Sequence, residues 1–166
     1  MTTILVVDDR ALNRDFIIAF LQPFGYRVIE ANDGKEALDR MQLETPNLII
    51  SDIQMPVMDG IETTERLQNK YAGTKIIIVT MHNEEGFIHH LISKGANGFL
   101  LKNQDIEIVV DAIYGVMEND YYFNDQISRA MVKGLLESNK IRPTFAEVVL
   151  TDREIEIIRL ISKELT

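Results

Sequence analysis

Cysteine is absent from the 166 residues of this sequence. Its absence excludes disulfide bonds and thiolate metal sites, and it is typical of proteins from a reducing compartment. Long hydrophobic runs are absent as well, because no uncharged apolar stretch approaches the roughly 20 residues that span a bilayer. Charged residues at positions 8–10 interrupt the N-terminus before a signal peptide could form. We therefore expect a cytoplasmic protein without membrane contact.

Basic residues are outnumbered by acidic ones, 17 to 26, and the formal net charge is −9. Such a chain is a poor candidate for non-specific binding to a phosphate backbone, so contact with nucleic acid would need a local basic surface or a segment outside this chain. The hydrophobic fraction of 46% is ordinary for a globular protein. The length predicts one well-buried domain with an appendage.

Short apolar runs rich in β-formers alternate with helix-length segments five times. This alternation predicts right-handed βαβ crossovers and an α/β fold, a five-stranded parallel sheet with helices on both faces. Five strands fit the flavodoxin-like order, in which the first and third strands are neighbours. A C-terminal helical extension follows, with an amphipathic helix predicted over 125–136 and a linker over 138–144. The predicted strands are 4–7, 26–30, 48–51, 76–79 and 99–101.

Four of these strands end in residues suited to phosphate chemistry: Asp8 with Asp9, then Asp52, Thr80 and Lys102. The carboxyl ends of parallel strands meet at one edge of the sheet, where open α/β folds place their sites. Three carboxylates at about 4 Å repel each other by roughly 1 kcal/mol per pair in water and about 4 at an effective dielectric near 20. Such a cluster raises a pKa or binds a cation, and oxygen ligands without His or Cys favour Mg²⁺.

Each residue also has a simpler interpretation on its own. Asp8 or Asp9 could cap the first helix, and Asp52 could begin a turn. Thr80 could be an ordinary strand residue, and Lys102 a solvated strand end. These separate interpretations leave the coincidence of all the residues at strand ends unexplained.

Residues 1–120 resemble the receiver domain of two-component response regulators. The resemblance implies that Asp52 accepts a phosphoryl group from the phosphohistidine of a sensor histidine kinase or from a small phosphodonor. It implies further that Mg²⁺ is held by Asp8, Asp9, Asp52 and the main-chain carbonyl of Gln54. The matching residues are Asp8-Asp9, Asp52 followed by Met55-Pro56 and Met58-Asp59-Gly60, Thr80, and Lys102 preceded by Gly98-Phe99.

The same resemblance implies that Lys102 pairs with the phosphoryl group, that Thr80 moves towards it, and that Phe99 is the switch aromatic. Two positions depart from the commonest pattern of the family. Asn103 stands where proline is frequent, so a cis peptide is not expected there, and Met81 stands where a small residue is usual. We also expect the side chains of Gln54 and His82 to influence the lifetime of the phosphoryl group, unless both are ordinary polar loop residues.

The C-terminal residues resemble the start of a LuxR-type helix-turn-helix module, as in NarL-type response regulators. We expect a helical linker over 121–149 and the first helix of that truncated module over 150–166, with a capping box at 151–154. The resemblance implies a transcription regulator that dimerises on phosphorylation and contacts DNA only through a longer parent chain, because the recognition helix lies outside this sequence. An ordinary capped helix that packs on the receiver is the alternative.

Three other functions are compatible with a phosphate site on this fold. The first is a Mg²⁺-dependent hydrolase that turns over an aspartyl-phosphate, but in haloacid-dehalogenase-like phosphatases the nucleophile follows the first strand, whereas Asp52 follows the third. The second is a flavodoxin-like mononucleotide binder, whose phosphate the pair Asp8-Asp9 would repel. The third is a receiver-like scaffold that is never phosphorylated. We expect a signalling switch rather than an enzyme.

Overall fold

The structure, a computed structural model, describes residues 1–81 and 85–140 together with Arg153, Glu156, Ile157 and Leu160. Within these residues one parallel sheet has the strand order β2-β1-β3-β4-β5. The predicted sheet, with its first and third strands adjacent, is confirmed. The strands are β1 Thr3–Val7, β2 Arg27–Ala31, β3 Leu48–Asp52, β4 Lys75–Thr80 and β5 Gly98–Leu101.

Six α-helices are described, and a short 3-10 helix, Gln22–Phe24, follows the first of them. The sixth of these helices continues to Lys140, so the predicted linker over 138–144 is wrong for its first three residues. Neither glycine nor proline occurs between Leu136 and Lys140 to end the helix earlier. The helices are α1 Ala11–Leu21, α2 Gly34–Leu43, α3 Gly60–Lys70, α4 Glu85–Ser93, α5 Glu107–Asn119 and α6 Asp125–Lys140.

Helices cover both faces of the sheet, as predicted. On one face, α1 and α5 pack over Ile4, Val6 and Ile50. On the other face, α2, α3 and α4 pack over alternate residues such as Leu5 and Ile49. The strands β1 and β3 are buried along their whole length, which explains why they are apolar throughout rather than alternating.

The helix α6 packs against α4 and widens the core on that side. Gly134 of α6 faces the side chain of His89, and a β-carbon added at Gly134 would lie 3.3 Å from that side chain, which is a tight contact. Ile157 is 2% exposed and lies in the same core cluster as Ile92 and Met131. The C-terminal residues that the structure describes therefore pack on the receiver part of the chain. The capping box expected at 151–154 lies, apart from Arg153, outside the described residues.

Candidate functional site

Carboxylates from two strand ends meet at the carboxyl edge of the sheet. Asp8 directly follows β1, Asp52 ends β3, and each of Asp8, Asp9 and Asp52 offers an oxygen within 4.8 Å of the others. Asp8 is 3% exposed and Asp52 is 6% exposed, whereas Asp9 is open to solvent. The predicted convergence of the three carboxylates is confirmed.

Lys102 lies between two of these carboxylates. Its Nζ is 2.9 Å from Asp52 Oδ2 and 3.3 Å from Asp8 Oδ2. Burial by itself would lower the pKa of Lys102, but the hydrogen bonds and negative charges of Asp52 and Asp8 outweigh it and raise the pKa. Burial raises the pKa of Asp52, an effect that Asp8 reinforces and Lys102 only partly offsets. Lys102 is therefore held as a cation beside a carboxylate whose negative charge is costly.

Asp8 is held by α1 from two sides. Asn13 Nδ2 lies 3.1 Å from both carboxylate oxygens of Asp8, and the amide of Arg10 donates to Oδ1 at 2.9 Å. The Arg14 guanidinium donates through Nη1 to the main-chain oxygen of Asp8 at 2.7 Å, and through Nε to Glu30 at 3.0 Å. Neither Asn13 nor Arg14 was predicted from the sequence to belong to the site. Their position in the first turns of the helix that follows Asp8 is the sequence feature from which their contact with Asp8 could have been predicted.

The backbone around Asp52 requires a glycine at position 60. A β-carbon added to Gly60 would lie 2.3 Å from the main-chain oxygen of Asp52 and 2.8 Å from the α-carbon of Ile53. The amide of Gly60 also donates to the Ile53 oxygen at 2.9 Å, and the amide of Ile53 donates to Asp52 Oδ1 at 2.8 Å. The first turn of α3, capped by Asp59, therefore presses directly on the backbone of Asp52. This close approach gives the Asp59-Gly60 pair a physical role.

The neighbouring strands β4 and β5 carry Thr80 and Phe99. Thr80 ends β4 and is 1% exposed, and its main-chain oxygen accepts a hydrogen bond from the amide of Lys102 at 2.8 Å. Phe99 of β5 pairs in register with Ile78 of β4 and is fully buried. Met81 is 66% exposed beside Thr80.

The N-cap of α1 is Arg10, without a side-chain cap, so neither Asp8 nor Asp9 caps this helix. Every peptide bond of the described residues is trans, including the one before Asn103. Gln54 is exposed next to Asp52, and His82 lies outside the described residues.

Comparison with known proteins places the chain in one family. The response regulator receiver domain model matches residues 4–114, so the chain belongs to the response regulator receiver family. The response regulator UvrY of Escherichia coli K12 is 31% identical over 98% of this chain and 75% of its own length. The transcriptional regulatory protein DegU of Brevibacillus brevis is 28% identical over 96% of this chain and 74% of its own length.

The solved structures agree with this assignment. A LuxR-family two-component response regulator from Aurantimonas sp. SI85-9A1 superposes with a TM-score of 0.74 at 27% identity, covering 82% of this chain and 99% of its own. The predicted receiver fold and the resemblance to LuxR-family response regulators are thereby confirmed. In the described part of the chain, no helix has the length and apolar character needed to cross a membrane.

Proposed function

We propose that this chain is a phosphorylation switch in which Asp52 is the phosphoacceptor. The observation that carries the proposal is the pairing of buried Asp52 with Lys102 at 2.9 Å beside two further carboxylates, in a chain of the response regulator receiver family. The phosphodonor is the phosphohistidine of a sensor kinase or a small molecule such as acetyl phosphate. The buried carboxylate, the paired cation and the excess of negative charge are what an aspartyl-phosphate site requires.

The residues around Asp52 fit a hard divalent cation. The donors are oxygen only, and the three carboxylates place one oxygen each within 4.8 Å of the others. This chemistry favours Mg²⁺ over softer metals. Asp8, Asp9, Asp52 and the main-chain carbonyl of Gln54 would hold the ion. When bound, Mg²⁺ neutralises charge on the phosphoryl oxygens and so permits attack by an anionic carboxylate.

The residues of the chain supply the other parts of the reaction. A carboxylate oxygen of Asp52 attacks phosphorus, and the bond from phosphorus to the donor's nitrogen or oxygen breaks with its electron pair leaving on the donor. Lys102 then exchanges its ion pair with Asp52 for one with a phosphoryl oxygen. The Thr80 hydroxyl donates to another phosphoryl oxygen, and Phe99 occupies the space behind Thr80. These contacts exist only in the phosphorylated state, so they favour one of two conformations.

The output that this switch controls is transcription. Similarity to DegU, a transcriptional regulatory protein by its name, and to LuxR-family response regulators supports this part of the proposal. We assign residues 1–120 to the receiver domain, 121–149 to a helical linker, and 150–166 to the first helix of a LuxR-type helix-turn-helix module. Phosphorylation favours a homodimer, and DNA is contacted only through a longer parent chain.

Intact mass spectrometry tests the proposal. The chain is incubated with Mg²⁺ and acetyl phosphate, and the same is done with Asp52→Asn and with the exposed control Asp39→Asn on α2. We expect one phosphoryl adduct on the unmodified chain and on the control, none on Asp52→Asn, and slow decay of the adduct. Rapid multiple turnover of phosphate esters would instead support the hydrolase. No adduct with acetyl phosphate, phosphoramidate or a phosphorylated kinase would support the scaffold.

A further inference from the structure

We propose that Asn13 is a positioning residue for the cation site, because it fixes the orientation of the Asp8 carboxylate. This inference rests on the proposed function, in which Asp8 takes part in binding Mg²⁺. Asn13 lies on α1 rather than on a strand end. It matches none of the residues that carry the resemblance to receiver domains.

The contact between Asn13 and Asp8 is a three-centre hydrogen bond. A single carboxamide nitrogen lies 3.1 Å from both carboxylate oxygens, so one of its N–H groups points between them. Donation to both oxygens at once restricts rotation of the carboxylate about its bond to Cβ. Oδ1 also accepts from the Arg10 amide and Oδ2 from Lys102, so a metal ion or a metal-bound water would take the place of Lys102 on Oδ2. Asn13 therefore orients the Asp8 carboxylate without occupying the position that the metal ion needs.

The main chain of Asp8 is held independently of Asn13. Arg14 donates to the Asp8 main-chain oxygen at 2.7 Å, and the Asp8 amide donates to the Ala31 oxygen at 3.3 Å. Glu30 holds the other side of the Arg14 guanidinium. Substitution of Asn13 therefore leaves the backbone of this loop in place and removes one restraint on the carboxylate alone. A change in metal affinity would then report carboxylate orientation rather than a displaced loop.

The neutral charge of Asn13 suits a site that must hold a cation. A lysine or arginine at this position would compete with the metal. With an apolar residue there, the described partners left to the Asp8 carboxylate would be the Lys102 ammonium and the main-chain amide of Arg10. Lys102 is shared with Asp52, and in the proposed phosphorylated state it turns to the phosphoryl group. The Arg10 amide then holds Oδ1, and Asn13 is the described side chain that continues to contact both oxygens of Asp8.

The test is a titration of the unphosphorylated protein with MgCl₂, followed by shifts of backbone amide resonances in NMR spectra. We compare the unmodified chain with Asn13→Leu and Asn13→Ala, which remove the donor, and with Asn13→Gln, which keeps a carboxamide. Asn69→Ala is the matched control, because Asn69 is exposed near the end of α3, at the opposite edge of the sheet from Asp52. Amide spectra without metal show that each variant is folded.

We expect the Kd for Mg²⁺ to rise about 10-fold in Asn13→Leu and Asn13→Ala, the scale on which partners of metal ligands act. Asn13→Gln should recover part of the loss, and Asn69→Ala should match the unmodified chain. In the acetyl phosphate reaction, the half-saturating Mg²⁺ concentration should rise by the same factor while the maximal rate changes less than about twofold. Equal affinity in the Leu and Ala variants and the unmodified chain would overturn the role of Asn13 and leave the switch intact. Absence of Mg²⁺ binding by the unmodified chain would overturn both proposals.

Discussion

Lys102 Nζ lies 2.9 Å from Asp52 Oδ2, so in this structure the lysine ammonium is already paired with the carboxylate that we propose as the phosphoacceptor. Asp52 is buried and Lys102 is half-buried, and Lys102 also reaches Asp8 at 3.3 Å. Phosphorylation of Asp52 would therefore exchange an existing ion pair for a new one instead of recruiting a free lysine. The energy available to the switch is the difference between these two pairings, which is smaller than either alone.

Replacement of Lys102 tests this exchange. Lys102→Met keeps a chain of similar length but removes the charge that would stabilise the phosphoryl oxygens during transfer. We expect the initial rate of phosphoryl incorporation from acetyl phosphate to fall on the order of 100-fold, as for loss of one preorganised electrostatic partner. Intact mass spectrometry over time measures the rate, and the exposed Lys35→Met on α2 is the control. Equal rates in the two variants would show that Lys102 has only a structural role.

Asp52→Asn should stabilise the fold near neutral pH. The pKa of Asp52 is raised, first by burial and then by Asp8, so its ionised form is less favourable in the folded protein than in the unfolded chain. That cost is present above the raised pKa and disappears as the pH falls below the usual carboxyl pKa of about 4. Lys102 keeps Asp8 as a partner in this variant. We expect a gain of about 1 kcal/mol, the scale of one like-charge pair in water.

Urea unfolding at several pH values measures this difference. The gain from Asp52→Asn should be largest at neutral pH and should vanish in acid, whereas the exposed control Asp39→Asn should show no such trend. A gain that grows as the pH falls would contradict the direction of the pKa shift.

Gly60→Ala should impair the site through the backbone. The added β-carbon would meet the Asp52 main-chain oxygen at 2.3 Å, so α3 or the end of β3 must move. We expect a loss of about 1 to 3 kcal/mol in the free energy of unfolding, as for other overpacked positions, together with slower phosphorylation. Gly73→Ala is the control, because a β-carbon there has no atom within 4 Å. Chemical unfolding and the mass assay measure the two effects, and an unaffected Gly60→Ala would mean that α3 shifts without cost.

Arg153→Ala should loosen the C-terminal residues from the receiver. Arg153 donates to the main-chain oxygens of Ile92 at 3.1 Å and Ala96 at 2.6 Å, and its guanidinium lies 5.4 Å from the centre of the Tyr121 ring. Burial raises the pKa of Tyr121, and the positive charge of Arg153 opposes that rise. If the C-terminal residues stay packed on the receiver without Arg153, loss of its positive charge should raise the pKa of Tyr121 further.

Detachment of the segment would instead re-expose Tyr121 and return its pKa towards the ordinary value. NMR titration of ring-labelled tyrosine follows this pKa, and hydrogen exchange at Ile157 shows whether the segment stays docked. Protection at Ile157 should fall in Arg153→Ala and remain unchanged in the exposed control Arg66→Ala on α3. Unchanged protection in both variants would show that packing of Ile157 holds the segment without Arg153.

The sheet and the residues at its carboxyl edge were predictable because their signals are local. Runs such as Ile4–Val7 and Leu48–Ile50 are apolar throughout, which indicates strands buried on both faces, and each run ends next to a chemically distinctive residue. The end of α6 was missed because Ser138 and Asn139 are weak helix formers, and packing of the helix against α4 outweighs that preference.

The sequence by itself determined the strand order, the meeting of Asp8, Asp9 and Asp52, and the family of the protein. Only the tertiary structure decided the partners within that cluster. The distance from Lys102 to Asp52 depends on how β5 pairs with β4. The hydrogen bond from Asn13 to Asp8 depends on how α1 lies across the sheet. Hydrophobic periodicity can be read from consecutive residues. A hydrogen bond of about 3 Å instead depends on how residues that are far apart in the sequence pack together.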